Sequence, residues 1–188
     1  MTFWQDPNLE PKRSYKFILS IPGGSKTQGL REFLVKKVSK PEWEVTSVEH
    51  KFLNHTFWYP GRTQWADITA TVVDTVDPTA NATQEMMHIL EESGYELPTT
   101  PNQPAGWGTV SKKKAVRNAL GTVKIKTLNS DGETVETWVL NNAWVSKVAF
   151  GEVAYDTEAM VELTLTIKYD NAYVNIHGGD GKIPTTSG

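Results

Sequence analysis

The sequence predicts a mainly β fold: an antiparallel sandwich or small barrel with one flanking α-helix and a candidate short second helix. Three observations carry this. The run from Val161 to Tyr169 alternates apolar and polar residues without a fault over nine positions, the period of a strand with one buried face. Asn129-Ser130-Asp131-Gly132 lies between two β-rich runs, Thr122 to Leu128 and Thr134 to Leu140, and Asp-Gly is a hairpin signal. Helical spacing is clear in one place, from Thr79 to Ser93, where Ala82, Met86, Ile89 and Leu90 fall on one stripe. About seven strands with one strong helix fit a layered β domain.

The elements follow in order. Residues 1–14 carry two prolines and mixed charge and read as an extended arm. Tyr15 to Ile21 reads as a strand stopped by Pro22-Gly23-Gly24. Ser25 to Arg31 has no apolar period and reads as a loop. Phe33 to Val38 is a second strand, interrupted by Pro41, after which Trp43 to Leu53 resumes an extended pattern. Pro60-Gly61 is a turn signal. Trp65 to Asp74 places Ile68, Ala70 and Val72 on one face and Thr69, Thr71 and Val73 on the other. The helix follows, with Asn81 and Gln84 in capping positions and Gly94 where a helix-ending residue belongs. Leu97 to Gly108, with three prolines and two glycines, is a loop. Ser111 to Leu120 is the candidate second helix, capped by Ser111 and ended by Gly121. After the hairpin come strands over Ala143 to Phe150 and Val161 to Tyr169, then a Gly/Thr/Ser-rich tail from Asn175 that is expected to be mobile in the free chain.

Composition narrows the function classes. A chain of 188 residues with 38% hydrophobic and 22% charged residues is ordinary for one globular domain. A net charge of -3 argues against a general nucleic-acid binder. There is no cysteine, so disulfides and thiolate metal sites are excluded. The N-terminal residues lack the apolar run of a signal peptide, and no stretch is long and apolar enough for a membrane helix. The unusual number is seven tryptophans, which serve either as core filling or as interface anchors.

Chemistry is hard to find. No zinc-protease, nucleophile-elbow, phosphate-loop or dinucleotide signature appears. His50 and His55 are expected on opposite faces of one extended segment, which is poor for chelation. His88 has no second histidine at helical spacing. Asp67 and Asp74 flank one strand, which sets them roughly 20 Å apart, too far for a carboxylate pair. Gly178-Gly179-Asp180-Gly181 precedes no helix that could cradle phosphate. The expectation is no catalytic residue, no metal and no cofactor. Lys112, Lys113 and Lys114 are odd, because three cations in a helix's first turn oppose its dipole. They read as a solvated surface or as a contact with acidic groups of another subunit; a DNA contact is a third, weaker option.

The stretch "FLNHTFWYPGRTQWADITATVVD", from Phe52 to Asp74, offers aromatic area in Trp58, Tyr59 and Trp65 and a planar fork in Arg62. This segment resembles the hallmark region of the tail tube proteins of contractile-tailed bacteriophages. "LEESGYELP" closes the helix in the manner of that family. The segment from Ser111 to Ala172 resembles its C-terminal half, with an "LG" junction, a "G…ETW" hairpin and a final alternating strand ending in "YD". The resemblance spans about Tyr15 to Ala172.

It implies a structural virion protein rather than an enzyme. One tail-tube-like domain would span 1–188, with an arm over 1–14, the β body over 15–174 and a flexible tail over 175–188. Six copies would form a ring whose strands join edge to edge around a channel. Stacked rings would make a tube inside a contractile sheath, and the tube would conduct the genome into the host. The type VI secretion tube protein shares that architecture. The implied partners are other copies of the chain, the sheath, and baseplate and tail-terminator proteins, with DNA passing through without specific binding and no membrane. The location would be the virion tail, after synthesis in the host cytoplasm. Trp43, Trp58, Tyr59, Arg62, Trp65 and Lys112 to Lys114 are the expected subunit or ring contacts. Glu162, Thr164 and Thr166 are the candidates for the channel wall, which should be neutral or acidic because phosphate contacts would hold DNA. A tube of a type VI or phage-like injection device, and a tube-initiating baseplate protein, remain alternatives. A small β-barrel enzyme or ligand-binding module would instead require a concave pocket with convergent polar groups.

Overall fold

The computed structural model describes residues 11–24, 27, 29–77, 80–96, 108–156 and 158–177. Among the described residues ten strands form two antiparallel four-stranded sheets and a separate two-stranded hairpin, accompanied by a 3-10 turn and two longer helical regions. One sheet has the order β1-β6-β7-β10: β1 (Phe17–Ser20), β6 (Val123–Leu128), β7 (Thr134–Asn141) and β10 (Asn171–Ile176). The other has the order β2-β5-β9-β8: β2 (Val35–Val38), β5 (Ile68–Val73), β9 (Glu162–Lys168) and β8 (Trp144–Ala149). The hairpin is β3 (Trp43–Phe52) and β4 (His55–Trp65). The two sheets stack as a sandwich, and the described strands do not close into a barrel.

Alternation builds the core. Ile68, Ala70 and Val72 of β5 lie directly opposite Ile167, Leu165 and Leu163 of β9, and all six are buried. Across the sandwich, Val123 and Ile125 of β6 pair with Leu140 and Trp138 of β7, and Leu19 of β1 pairs with Ile125. Period 2 puts each apolar set on one face, so the polar residues between them face outward.

Helix α1 (Ala82–Glu92) covers one end of this core with Ala82, Met86 and Ile89. Its start is set by two side chains. Asn81 accepts a hydrogen bond from the Gln84 amide at 2.8 Å. Asp74, at the end of β5, accepts from the Ala82 amide at 3.0 Å and the Thr83 hydroxyl at 2.6 Å. Burial raises the Asp74 pKa, but the bonds from Thr83, Thr75 and Ala82 outweigh it and hold the carboxyl below its usual value. Asp74 is therefore a capping residue, as a strand-end carboxylate next to a helix can be. Gly94 ends the helix at φ 105. A single α-turn, α2 (Lys112–Lys114), runs into a π-helical segment, Ala115–Leu120, whose Ala115, Ala119 and Leu120 are buried.

Several expectations need correction. Pro60-Gly61 does not turn the chain but lies inside β4. The reversal falls at Leu53–Asn54, with Leu53 at φ 52, a conformation that costs a non-glycine residue energy and so carries no glycine signal in the sequence. A short 3-10 turn, Glu32–Leu34, precedes β2, so that strand starts at Val35 and not at Phe33. Beyond Tyr169 the chain makes a further strand, β10, in which Asn175 and Ile176 pair with Thr137 and Glu136. Most of the arm (1–10), most of the loop at 97–108 and the tail after His177 lie outside the described residues.

Candidate functional site

The β3–β4 hairpin extends from the sandwich between β2 and β5. Its residues from Glu42 to Gln64 are all exposed. At its root, Ala66 donates to the Glu42 carbonyl at 2.9 Å, and Trp65 packs against Tyr169 with ring centroids 6.0 Å apart. Trp43 lies directly opposite Trp65.

A bulge shifts the register midway. Ser47 is opposite Pro60 and Val45 is opposite Thr63, so Gly61 and Arg62 together face Thr46. The Thr46 hydroxyl accepts from the Arg62 amide at 2.9 Å and donates to the Arg62 carbonyl at 3.2 Å. A Cβ on Gly61 would stand 2.5 Å from that hydroxyl oxygen. The Pro-Gly pair therefore serves a bulge: proline lacks the amide a ladder needs, and glycine admits the threonine.

Beyond the bulge the two faces differ. The pairs Val48–Tyr59, His50–Phe57 and Phe52–His55 put six apolar, aromatic or imidazole side chains on one face. The other face carries Glu49, Lys51, Thr56 and Trp58. His50 and His55 thus share a face, against the expectation from spacing, because the turn intervenes between them. Within the hairpin, exposure reaches 60% at Val48 and Phe52, 64% at Trp58 and 86% at Leu53. These apolar side chains are exposed to solvent and not packed on the sandwich. Val153, Tyr155 and Met160, in the connection between β8 and β9, are also exposed.

The other expected residues are dispersed. Lys112 makes an ion pair with Asp170 at 2.6 Å, and Asn142 donates to the same carboxylate at 2.7 Å. The bonds from Lys112 and Asn142 lower the Asp170 pKa. Lys112 therefore has an acidic partner within its own chain. Glu162, Thr164 and Thr166 lie on the outward face of β9, opposite Val73, Thr71 and Thr69 of β5. Lys36 makes an ion pair with Glu162 at 2.5 Å. Asp67 lies 3.6 Å from Lys168.

Sequence reasoning passed over one buried carboxylate. Glu136 is 6% exposed. It accepts from Lys40 at 2.8 Å, from the Trp138 indole at 2.5 Å and from Lys12. Burial pushes its pKa up, but these bonds and the Lys40 charge push it down further, to about 2. The carboxylate ties the arm, the approach to the hairpin and β7 together. A Glu inside a strand run, two residues before Trp138, is the signal available in the sequence. Among the described residues no group of three or more His, Asp or Glu side chains could hold a metal, and no helix is long and apolar enough to cross a membrane.

No family model and no curated relative matches the chain. Solved structures do match. A chain of the anti-feeding prophage baseplate superimposes with a TM-score of 0.64 at 13% identity, covering 89% of this chain and 97% of that one. A chain of the sheath–tube complex of an extracellular contractile injection system, in its extended state, superimposes at 0.60 with 18% identity over 94% and 99%. A chain from the tube-terminating cap of the anti-feeding prophage does so at 0.60 with 17% identity over 92% and 97%. The chain has the fold shared by these components of contractile injection assemblies.

Proposed function

We propose that this chain is a ring-forming subunit of the inner tube of a contractile tail or injection device. The observation that carries the reading is the hairpin. A two-stranded hairpin is marginally stable alone, and this one exposes large apolar side chains on both faces. It suits a subunit whose partner surface is another copy. The sandwich itself ends in four strand edges, β1 and β10 on one sheet and β2 and β8 on the other. Unpaired edges invite pairing, and head-to-tail pairing around a closed ring satisfies them.

The finer reading is a phage tail tube: sixfold rings, stacked within a sheath, conducting DNA during ejection. Trp43, Trp58, Tyr59, Arg62 and Trp65 would make ring contacts, with Lys113 and Lys114 available to a neighbour. Lys112, already paired with Asp170, would contribute less. The outward face of β5 and β9 would line the channel. Its cross-strand pairs, Thr69–Thr166 and Thr71–Thr164, give a short-chained hydroxyl surface, and the Lys36–Glu162 pair adds no net charge. Lys37 and Lys147 stand opposite Thr71 and Thr166 on the same face, so a wall that lets a polyanion slide requires these two cations to be covered by acidic groups of neighbouring subunits. The similar structures come from baseplate, cap and sheath–tube assemblies, which favours an injection device carrying another cargo as a second reading. Electron microscopy of tubes assembled from purified protein tests the core proposal. Nucleic-acid analysis of particles isolated with their sheath separates the two cargoes.

A further inference from the structure

We propose that Glu136 is a positioning residue for the β3–β4 hairpin: through Lys40 its buried carboxylate fastens the hairpin root to the opposite sheet and sets the direction in which the hairpin projects. The proposal goes beyond the tube reading and stands whatever surface the hairpin meets.

The residues from Glu42 to Gln64 are all exposed, so the sandwich does not hold the hairpin along its length. Its direction is decided at two short connections, residues 39–42 before β3 and residues 66–67 after β4. The second connection is held on the β2-β5-β9-β8 sheet, where Trp65 packs on Tyr169 and Asp67 lies 3.6 Å from Lys168. The first begins on the same sheet. The Ser39 amide donates to the Thr69 carbonyl at 2.9 Å, and the Ser39 hydroxyl accepts from the Thr69 amide at 2.9 Å. Bonds on one sheet locate a hinge but leave a tilt about it free. Lys40 crosses to the other sheet, donating to Oε1 of Glu136 on β7 at 2.8 Å. A support on each sheet resists the tilt.

The carboxylate is suited to this task. It is 6% exposed, and Oε1 also accepts from the Trp138 indole at 2.5 Å, which fixes its rotation. The other oxygen, Oε2, accepts from Lys12, in the segment leading into β1. One oxygen therefore serves the hairpin approach and the other serves the chain entering the sandwich. A charge-assisted bond to a desolvated carboxylate holds better than an exposed ion pair. Pro41 follows Lys40 directly, and its fixed φ leaves little slack between the tether and β3.

The chain has no cysteine, so Thr56→Cys and Lys124→Cys provide two unique sites for spin labels, both at exposed positions, one near the hairpin tip and one on β6. Thr56 stands opposite Lys51, about 26 Å beyond the root at the rise of a strand, so a tilt of about 15° moves its label by about 7 Å. Pulsed electron paramagnetic resonance of the full chain in dilute solution reads the distance between the labels. The labelled protein should give one narrow distribution. Adding Lys40→Met should shift or broaden it by about 7 Å. Adding Lys12→Met removes a bond to the same carboxylate but leaves Oε1 engaged, so it should lower the urea midpoint to a similar extent and leave the distribution unchanged. Circular dichroism confirms that each variant is folded. An unchanged distribution in Lys40→Met overturns the proposal, and so does a broad one in the labelled parent. Equal broadening by Lys12→Met and Lys40→Met also overturns it, since Glu136 would then act on the fold in general and not on the hairpin.

Discussion

Trp58 separates assembly from folding, because in the subunit it is 64% exposed and sits opposite Glu49 on the outer reach of the hairpin. A tryptophan offers about 200 Å² for burial, so about 130 Å² of this one remains to be covered by a neighbour. At about 25 cal/mol per Å², covering it contributes about 3 kcal/mol per contact, the scale of an interface hot spot. Trp58→Ala should therefore raise the critical concentration for tubes about a hundredfold. The same change should shift the stability of the isolated subunit by no more than about 0.5 kcal/mol, as for a surface position. Pelleting and a thermal melt on the same preparation read both. A variant that melts far below the wild type while assembling at an unchanged concentration would refute the reasoning, since Trp58 would then belong to the subunit's own core.

Glu136→Gln should destabilise the subunit by about 2 kcal/mol, because it removes a buried carboxylate from Lys12, Lys40 and Trp138; urea titration reads the loss. With a folded pKa of about 2 against an ordinary 4.5, this carboxylate's contribution is fully present above pH 4.5 and is lost as pH falls toward 2. An acid-unfolding curve of the variant should be correspondingly flatter in that window. Gly61→Val should abolish the bulge, since its side chain meets Thr46 at the position where a Cβ already stands 2.5 Å away; tube yield should fall while the sandwich melts normally. Thr164→Cys should react quickly with a bulky maleimide in the subunit and slowly in tubes, as befits a position on the channel wall; equal rates would move the wall to another face. Truncation after His177 keeps β10 whole and should leave tubes unaltered in electron micrographs.

The elements that sequence revealed are those governed by local rules. The alternation of β5 and β9 and the Asn81 cap each depend on neighbours a few residues apart, and each stands in the structure. The Asp-Gly hairpin does too, with Asn129 accepting from the Asp131 and Glu133 amides. What sequence could not reveal depends on where the chain turns or on distant partners. The hairpin reverses at Leu53, a residue with no turn preference, so spacing alone puts the two histidines on opposite faces where the register puts them on one, and Pro60-Gly61 reads as a turn where it forms a bulge. Lys112 meets Asp170, and Glu136 meets Lys12, only through the tertiary fold. The aromatic residues of the candidate interface were visible as types, but their division between two faces required the register of β3 against β4. β10 is hard to read from sequence because its inward face is carried by the partly buried Ala172 and Val174 alone, between Asn171, Tyr173 and Asn175, a weak version of the strand pattern.

The most direct test of the central claim is electron microscopy of the purified full chain at high concentration, with and without a preformed ring to nucleate growth. The account predicts closed sixfold rings that stack into hollow tubes, with the β3–β4 hairpin of each subunit covered by another copy. Monomers alone at every concentration, even on a nucleating ring, would contradict it.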